Sequence, residues 1–168
     1  MENIPKPKTL VLSSGGVYGA LLVGALKTLQ EYNLLTDVKH YIGCSAGAIA
    51  IGGLLIDYSP EKMMDIILSL DFKDWNQNLT ATDGLIKAKK LTSALNEHLG
   101  DRKMKDFGVR ITFSVINLNF GRVEYLDSET HPDLKLADAI MASCSLPVLF
   151  PCFKLNGVLY CDGGVVDP

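Results

Sequence analysis

The chain has 168 residues, of which 48% are apolar and 21% charged, and its formal net charge is −3. This length and composition predict one globular domain, residues 1–168, with a full hydrophobic core. The mild negative charge, without any run of basic residues, argues against a nucleic-acid-binding protein. Residues 1–8 lack the apolar segment of a signal peptide, and the most apolar stretch, Ala46 to Ile56, is too short to cross a bilayer. We therefore expect a soluble cytoplasmic protein.

The four cysteines, at positions 44, 144, 152 and 161, have the spacing of neither a metal site nor a disulfide framework. Three of them lie beside apolar or motif residues, which predicts small buried thiols in a reducing compartment. We expect no metal and no cofactor.

A first glycine-rich turn, S-S-G-G-V-Y-G over Ser13 to Gly19, joins a short apolar strand (Thr9 to Leu12) to a helix over Ala20 to Tyr32. Such a turn predicts a nest of backbone N–H groups suited to an anion. A dinucleotide pyrophosphate is one candidate, but the G-x-G-x-x-G fingerprint is missing and the next strand does not end in an acidic residue. A reaction oxyanion is the candidate that we favour. The remaining interpretation is a loop that only lets the helix pack closely.

A second turn, G-C-S-A-G over Gly43 to Gly47, follows a strand predicted over Val38 to Ile42 and precedes an apolar helix that ends near Ile56. The pattern G-x-S-x-G between a strand and a helix is typical of a nucleophile elbow, which projects the serine Oγ, here that of Ser45, from a strained turn. The helix N-terminus favours developing negative charge. Because both turns leave the same end of neighbouring parallel strands, we expect them to face each other. A tight βα turn with a chance serine is the alternative.

The middle of the chain predicts two helices separated by an irregular segment. Ser59 and Pro60 are typical of a helix start, and apolar residues from Met63 onward form one face of that helix. Residues 71–84 are polar and contain the only tryptophan, Trp75, which predicts a surface loop or a mobile segment over the site. An amphipathic helix follows over Lys87 to Leu99.

The last third predicts strands, one helix and a tight hairpin. Asn156-Gly157 is a strong hairpin signal, and the two prolines between residues 146 and 151 exclude regular structure there. The predicted elements are strands over Val109 to Leu118, Arg122 to Leu126, Phe153 to Leu155 and Val158 to Cys161, and a helix over Lys135 to Ser143.

A serine nucleophile needs a base, and the three histidines are poorly placed to serve. His40 precedes the elbow on its strand, His98 ends a helix among solvated residues, and His131 lies in a loop, so we interpret each as structural or solvated. A carboxylate can act as the base instead. Asp162 is the candidate, because it ends a strand and two glycines after it leave room for backbone and substrate. An ordinary Asp-Gly turn is the alternative.

Four segments together resemble the patatin-like phospholipase family: SSGGVYGA, GCSAG, AIMASCSLPVLFP and DGG, in this order between Leu10 and Pro168. The resemblance implies a three-layer α/β/α fold with a mainly parallel central sheet and a nucleophile elbow. It also implies a serine lipid acyl hydrolase of the phospholipase A type that needs no calcium. Carried over by position, Ser45 is the nucleophile, Asp162 the base, and the amides of Gly15 and Gly16 form the oxyanion hole. The supporting motif glycines are Gly19, Gly43, Gly47, Gly163 and Gly164.

The same resemblance implies a phospholipid or another acyl-ester lipid as substrate, presented at a membrane surface to which the protein binds peripherally. The sequence departs from the family pattern at Ser14, where a glycine is usual, at Tyr18, where a basic residue is usual, and at Met141, where an arginine is common. The chain also stops soon after the D-G-G motif, which suggests a shortened chain or a minimal domain in which Asp162 is held less firmly.

Three other hypotheses remain open. One is a catalytically silent module of the same fold that binds lipid or protein, which the missing basic residue at Tyr18 would favour. The second is a nucleotide-binding domain built on the glycine-rich turn. The third is a cysteine hydrolase using Cys44, although Ser45 holds the central position of the elbow. For the methionines after Pro60, Met63 and Met64, a core position is preferred over contact with an acyl chain.

Overall fold

The computed structural model of the chain describes residues 5–69 and 81–167. Two strands and two helices alternate at the start of the chain, two further helices follow, and a hairpin closes the second half. The strands are β1 (Thr9–Leu12), β2 (His40–Gly43), β3 (Arg110–Asn117), β4 (Arg122–Asp127), β5 (Phe153–Leu155) and β6 (Val158–Asp162). The helices are α1 (Gly19–Glu31), α2 (Ala46–Leu55), α3 (Pro60–Ser69), α4 (Ala81–Leu99) and α5 (Leu136–Ser143), and short 3₁₀ turns cover Gly16–Tyr18, Met104–Phe107 and Gly163–Val165.

All six strands form one sheet. Strands β1, β2 and β3 are parallel neighbours, whereas β4 and β6 run antiparallel to β3, and β5 runs antiparallel to β6. Because β4 pairs with β3 from Thr112 to Asn117, it occupies most of one edge of that strand. The other edge is shared: β2 pairs with the first half of β3, up to Phe113, and β6 pairs with the second half, from Val115. The ends of β2 and β6 therefore meet at one point of the sheet.

Helices cover one face of this sheet. Two successive right-handed crossovers, β1 to β2 and β2 to β3, place their helices on the same side. Helix α2 packs against β1 and β2, and α5 packs against β3 and β6. The apolar sequence of α2 follows from this central position, since Ala48 and Ile51 are completely buried. On the opposite face Val11 of β1 is 63% exposed.

The α/β fold with parallel strands at its centre, expected from the sequence, is confirmed. Of the expected layers, the described residues form the sheet and the helical layer that carries the elbow. Most predicted elements end within one or two residues of the observed ones. Helix α3 begins at Pro60 as predicted, and the Ser59 hydroxyl accepts a hydrogen bond from the Lys62 N–H at 3.2 Å.

One boundary was wrong: α4 begins at Ala81, six residues before the predicted start at Lys87. The polar residues and the glycine between positions 81 and 84 suggested a loop, but intrinsic propensity is a weak signal beside tertiary packing. The rest of the predicted irregular segment, with Trp75, lies outside the described residues. Within residues 5–69 and 81–167, no helix has both the length and the apolar character needed to cross a membrane.

Candidate active site

Ser45 stands between β2 and α2 in a strained backbone conformation. Its φ of 51° and ψ of −118° place a non-glycine residue in a sparsely populated region, which costs about 1–3 kcal/mol and needs support from the surrounding structure. The side chain is half-buried, and among the described residues its Oγ has no hydrogen-bond partner. The turn thus has the geometry of a nucleophile elbow, as the sequence predicted.

The motif glycines are explained by close packing around this turn. A Cβ on Gly47 would collide with the carbonyl oxygen of Leu12, the last residue of β1. A Cβ on Gly163 would collide with the side chain and backbone of Ser114 on β3. The same lack of space for a Cβ holds at Gly19, Gly43 and Gly164.

Asp162 lies beside the elbow because β2 and β6 share one edge of β3. Gly43 pairs with Phe113 and Asp162 pairs with Val115, two residues further along, so about 7 Å of strand separates the two positions. The carboxylate is buried, with 2% of Asp162 exposed, and its Oδ1 accepts hydrogen bonds from the Gly164 N–H at 2.8 Å and the Cys44 thiol at 3.6 Å. In the described part of the chain no hydrogen bond joins it to Ser45 Oγ.

A buried serine that the sequence analysis did not single out holds the elbow in place. The Oγ of Ser143, at the end of α5, accepts the Ser45 N–H at 3.0 Å and donates to the Ser114 carbonyl of β3 at 2.8 Å. Ser143 is fully buried, so this hydrogen-bonded link between β2, β3 and α5 is shielded from water. Its only sequence signal was its place in the A-S-C-S-L-P segment. The Cys144 thiol adds a second link by donating to the Ser45 carbonyl at 3.3 Å.

The thiols around the elbow remain protonated. Burial, followed by the charge of the neighbouring Asp162, raises the pKa of Cys44 to about 12. Burial and the same carboxylate also raise the pKa of the Cys144 thiol well above its usual range. Since the thiolate is the nucleophilic form of cysteine, these two residues act as hydrogen-bond donors, and the geometry does not favour the hypothesis that Cys44 is a nucleophile.

The glycine-rich turn faces the elbow, as expected from the parallel pairing of β1 and β2. Gly16 has a φ of 51°, a conformation that glycine adopts without strain. Neither the Gly15 nor the Gly16 N–H is hydrogen-bonded within the described residues. The Ala46 N–H, in the first turn of α2, is equally unpaired there, and the sequence analysis did not identify it. The Ala46 amide lies at the N-terminus of α2, and the amides of Gly15 and Gly16 lie shortly before the N-terminus of α1. A helix N-terminus stabilises negative charge.

An apolar cavity of about 210 Å³ opens beside Ser45. Residues of helices α1 to α4 contribute to its wall, together with Ser45, Gly16 and the segment after α5. Among the described residues, no Asp, Glu, Lys or Arg lines it. Met63 belongs to the buried core, as preferred from the sequence, and it also lines the cavity. The cavity suits an uncharged apolar group attached to whatever reacts at Ser45.

None of the histidines is hydrogen-bonded to Ser45 or Asp162 in the described structure. His40 Nε2 lies 2.8 Å from the Thr112 hydroxyl, and His131 Nδ1 lies 2.8 Å from the Thr130 hydroxyl. His98, expected to be structural or solvated, is half-buried in the cavity wall, where its Nδ1 is 3.0 Å from Tyr58 Oη. Helical spacing alone did not reveal this, because its partner is 40 residues away.

The three departures from the family pattern have different surroundings. Ser14 lies against Gly164, since a Cβ there would be 2.7 Å from the Ser14 Oγ. Tyr18 is 72% exposed, and Met141 is buried in the core, where an arginine would need a partner for its charge.

The chain is similar in sequence to a known protein family and to individual proteins. The sequence model of the patatin-like phospholipase family matches residues 10–168. The probable lipid hydrolase 463L of Invertebrate iridescent virus 6 is 26% identical over 178 residues, which cover 94% of this chain and 60% of that protein. Triacylglycerol lipase 4 of Saccharomyces cerevisiae is 33% identical over 169 residues, which cover 87% of this chain and 18% of that protein. The chain therefore spans less than two thirds of either relative.

A solved structure shares the fold. The crystal structure of VipD from Legionella pneumophila matches with a TM-score of 0.76 at 18% sequence identity, over 97% of this chain and 47% of that chain. At this level of identity the likeness concerns the fold alone.

Proposed function

Because this chain belongs to the patatin-like phospholipase family, we propose that it is a serine lipid acyl hydrolase of the phospholipase A type, with Ser45 as nucleophile and Asp162 as base. One observation carries the proposal. A strained serine with an unbonded hydroxyl opens onto an apolar cavity, next to a buried carboxylate on the neighbouring strand end.

In the first half of the reaction Asp162 takes the proton of Ser45 Oγ, and the oxygen attacks the carbonyl carbon of a fatty-acyl ester. The oxyanion is stabilised by the amides of Gly15 and Gly16, with the unpaired Ala46 amide as a further donor. Each such donor is typically worth about 10²–10³ in rate. The proton then passes from Asp162 to the departing alcohol, and the acyl group stays on Ser45.

In the second half a water molecule gives its proton to Asp162 and attacks the acyl carbon. The fatty acid leaves, and the proton returns to Ser45 Oγ. The free protein shows no hydrogen bond between the two catalytic side chains, which is common before substrate binds, since catalytic hydrogen bonds often shorten only in the complex.

The proposed substrates are glycerophospholipids at a membrane surface. The cavity accepts the apolar acyl chain, and its wall offers no charged residue, within the described residues, that would hold a head group inside. The polar part of the lipid would therefore remain outside, on the side of Gly16, which is exposed.

A fluorophosphonate probe tests the dyad directly. The probe should label wild-type protein at Ser45, as located by mass mapping of the peptides, and should not label Ser45→Ala. Asp162→Asn keeps the hydrogen-bond acceptor for the Gly164 N–H but cannot take a proton, so labelling should fall by at least about 10³-fold. Ser14→Ala, a serine in the neighbouring turn, is the matched control and should label normally.

Release of fatty acid from phosphatidylcholine vesicles, compared with a triacylglycerol emulsion, tests the substrate class. Labelling of Asp162→Asn at the wild-type rate would refute the dyad. A folded wild-type protein that is not labelled would favour the silent lipid-binding module instead.

A further inference from the structure

The apolar cavity follows the whole length of α2. Ser45 precedes the first residue of this helix, Ile56 follows its last residue, and both line the cavity. Ile49 and Gly53, between them, lie on the same cavity-facing side. A helix of 10 residues is about 15 Å long. The cavity lining therefore spans about 15 Å along α2, from Ser45 to the other end of the helix.

A polar pair stands at the end of the cavity that is distant from Ser45. Tyr58, three residues after the end of α2, contacts His98 in the last turn of α4. Tyr58 Oη lies 3.0 Å from His98 Nδ1, and the two rings meet edge to face, with centroids 5.7 Å apart and an interplanar angle of 80°. A hydrogen bond and an edge-to-face ring contact together restrain both half-buried side chains.

This pair interrupts a lining that is otherwise almost entirely apolar. A purely structural pair joining α4 to the segment after α2 could lie anywhere along these elements. Here both side chains line the cavity, and they do so at the end where a chain attached to Ser45 would finish. A longer chain would have to break the hydrogen bond and leave both polar groups facing methyl and methylene groups.

Building on the proposed function, we propose that the Tyr58–His98 pair sets the acyl-chain length, so that the site prefers esters of medium-chain fatty acids. A zigzag of carbon–carbon bonds of about 1.5 Å advances about 1.25 Å per carbon, so about 15 Å holds about 12 carbons. The cavity therefore fits a chain of up to about 12 carbons along α2.

The test is the hydrolysis of 4-nitrophenyl esters with acyl chains of about 4 to about 16 carbons, since single methylenes are discriminated by about tenfold or more in closed apolar pockets. Wild-type kcat/KM should peak between about 8 and 12 carbons and fall at least about tenfold for the longest chain. His98→Ala removes the wall and should move the peak to chains about four carbons longer. His131→Ala, the same change at a histidine outside the cavity, is the matched control and should keep the wild-type profile.

Two further variants separate the wall from the hydrogen bond. Tyr58→Phe removes the hydroxyl but keeps the ring, and should leave the peak in place. Ala94→Leu, one turn before His98 on the cavity side of α4, should move the peak to shorter chains. The inference is overturned if His98→Ala and Ala94→Leu lower activity at every length without moving the peak.

A binding experiment separates this inference from the proposed function. Titration calorimetry of Ser45→Ala with free fatty acids of the same lengths requires no turnover. Tightest binding at about 8 to 12 carbons, lost in the double variant Ser45→Ala/His98→Ala, supports the chain-length limit even if the wild-type protein hydrolyses nothing. Equal binding of all lengths overturns the limit, whatever the esterase activity.

Discussion

The polar groups at the two ends of β2 differ in whether they have hydrogen-bond partners within the described residues. At its first residue, His40 Nε2 meets the Thr112 hydroxyl, which donates to Asp127 at 2.5 Å, and Arg110 donates to the same carboxylate oxygen at 3.0 Å. At its far end Ser45 Oγ and the facing amides of the glycine-rich turn are unpaired within the described residues. The polar groups at the first end are hydrogen-bonded to one another, whereas those at the far end remain available to a ligand.

This difference separates stability from function along a single strand. Groups that satisfy each other stabilise the sheet and have nothing left to offer a substrate. Open donors and a strained serine cost stability and are retained only where the surrounding structure supports them. Substitutions at the first end should therefore change mainly the free energy of unfolding. Substitutions at the far end should change mainly the kinetics of reaction at Ser45.

Among the substitutions that test this comparison of the two ends, Ser143→Ala, at the open end, is expected to have the largest effect. The Ser45 N–H and the Ser114 carbonyl lose their shared partner, so the elbow should become less ordered and kcat should fall about 10- to 100-fold, while KM changes little. Ser145→Ala is the matched control: Ser145 is equally buried, but its hydroxyl donates only to the Met141 carbonyl within α5. Steady-state kinetics and the rate of fluorophosphonate labelling give the comparison. Equal losses in both variants would mean that general packing, not support of the elbow, is responsible.

Asp127→Ala, at the closed end, should give the reverse pattern. It leaves Thr112, Arg110 and the Glu129 N–H without their acceptor, and we expect a loss of about 2–3 kcal/mol in the free energy of unfolding. Urea denaturation measures this loss. At a temperature where the variant is folded, labelling of Ser45 should match the wild type, and a large fall there would show that the two ends are coupled.

The smallest expected effect concerns pH. Burial, and then the charge of Arg110, hold the pKa of His40 below its ordinary value of 6.5. Below about pH 6.5 the unfolded chain therefore binds a proton at His40 that the native protein does not, and stability falls as the pH falls. His40→Gln should lose less stability than the wild type between pH 7 and the lowered pKa, as measured by thermal unfolding. If the stability of the two proteins depended on pH in the same way, His40 could not be the origin of the effect.

Local features of the site could be predicted from the sequence, because each depends on residues close in the chain. The strained turn at Ser45, the glycine-rich turn, and the strand end at Asp162 all belong to this group. The features that could not be predicted depend on long-range pairing. Two of them are the sharing of one edge of β3 by β2 and β6 and the hydrogen-bonded link through Ser143. Neither leaves a periodic pattern in the sequence. The Tyr58–His98 contact, across 40 residues, is of the same kind.

The meeting of β2 and β6 also fixes the order in which the site can assemble during synthesis. Cys44 and Asp162, which touch in the folded protein, are 118 residues apart in the chain. At about 5–20 residues per second, a ribosome takes roughly 6 to 24 s to extend the chain from one to the other. Throughout that interval the nascent protein already holds Ser45 but lacks Asp162, the base that we propose for it. The proposed dyad can form only after β6 has been made and has joined the edge of β3 that β2 leaves free.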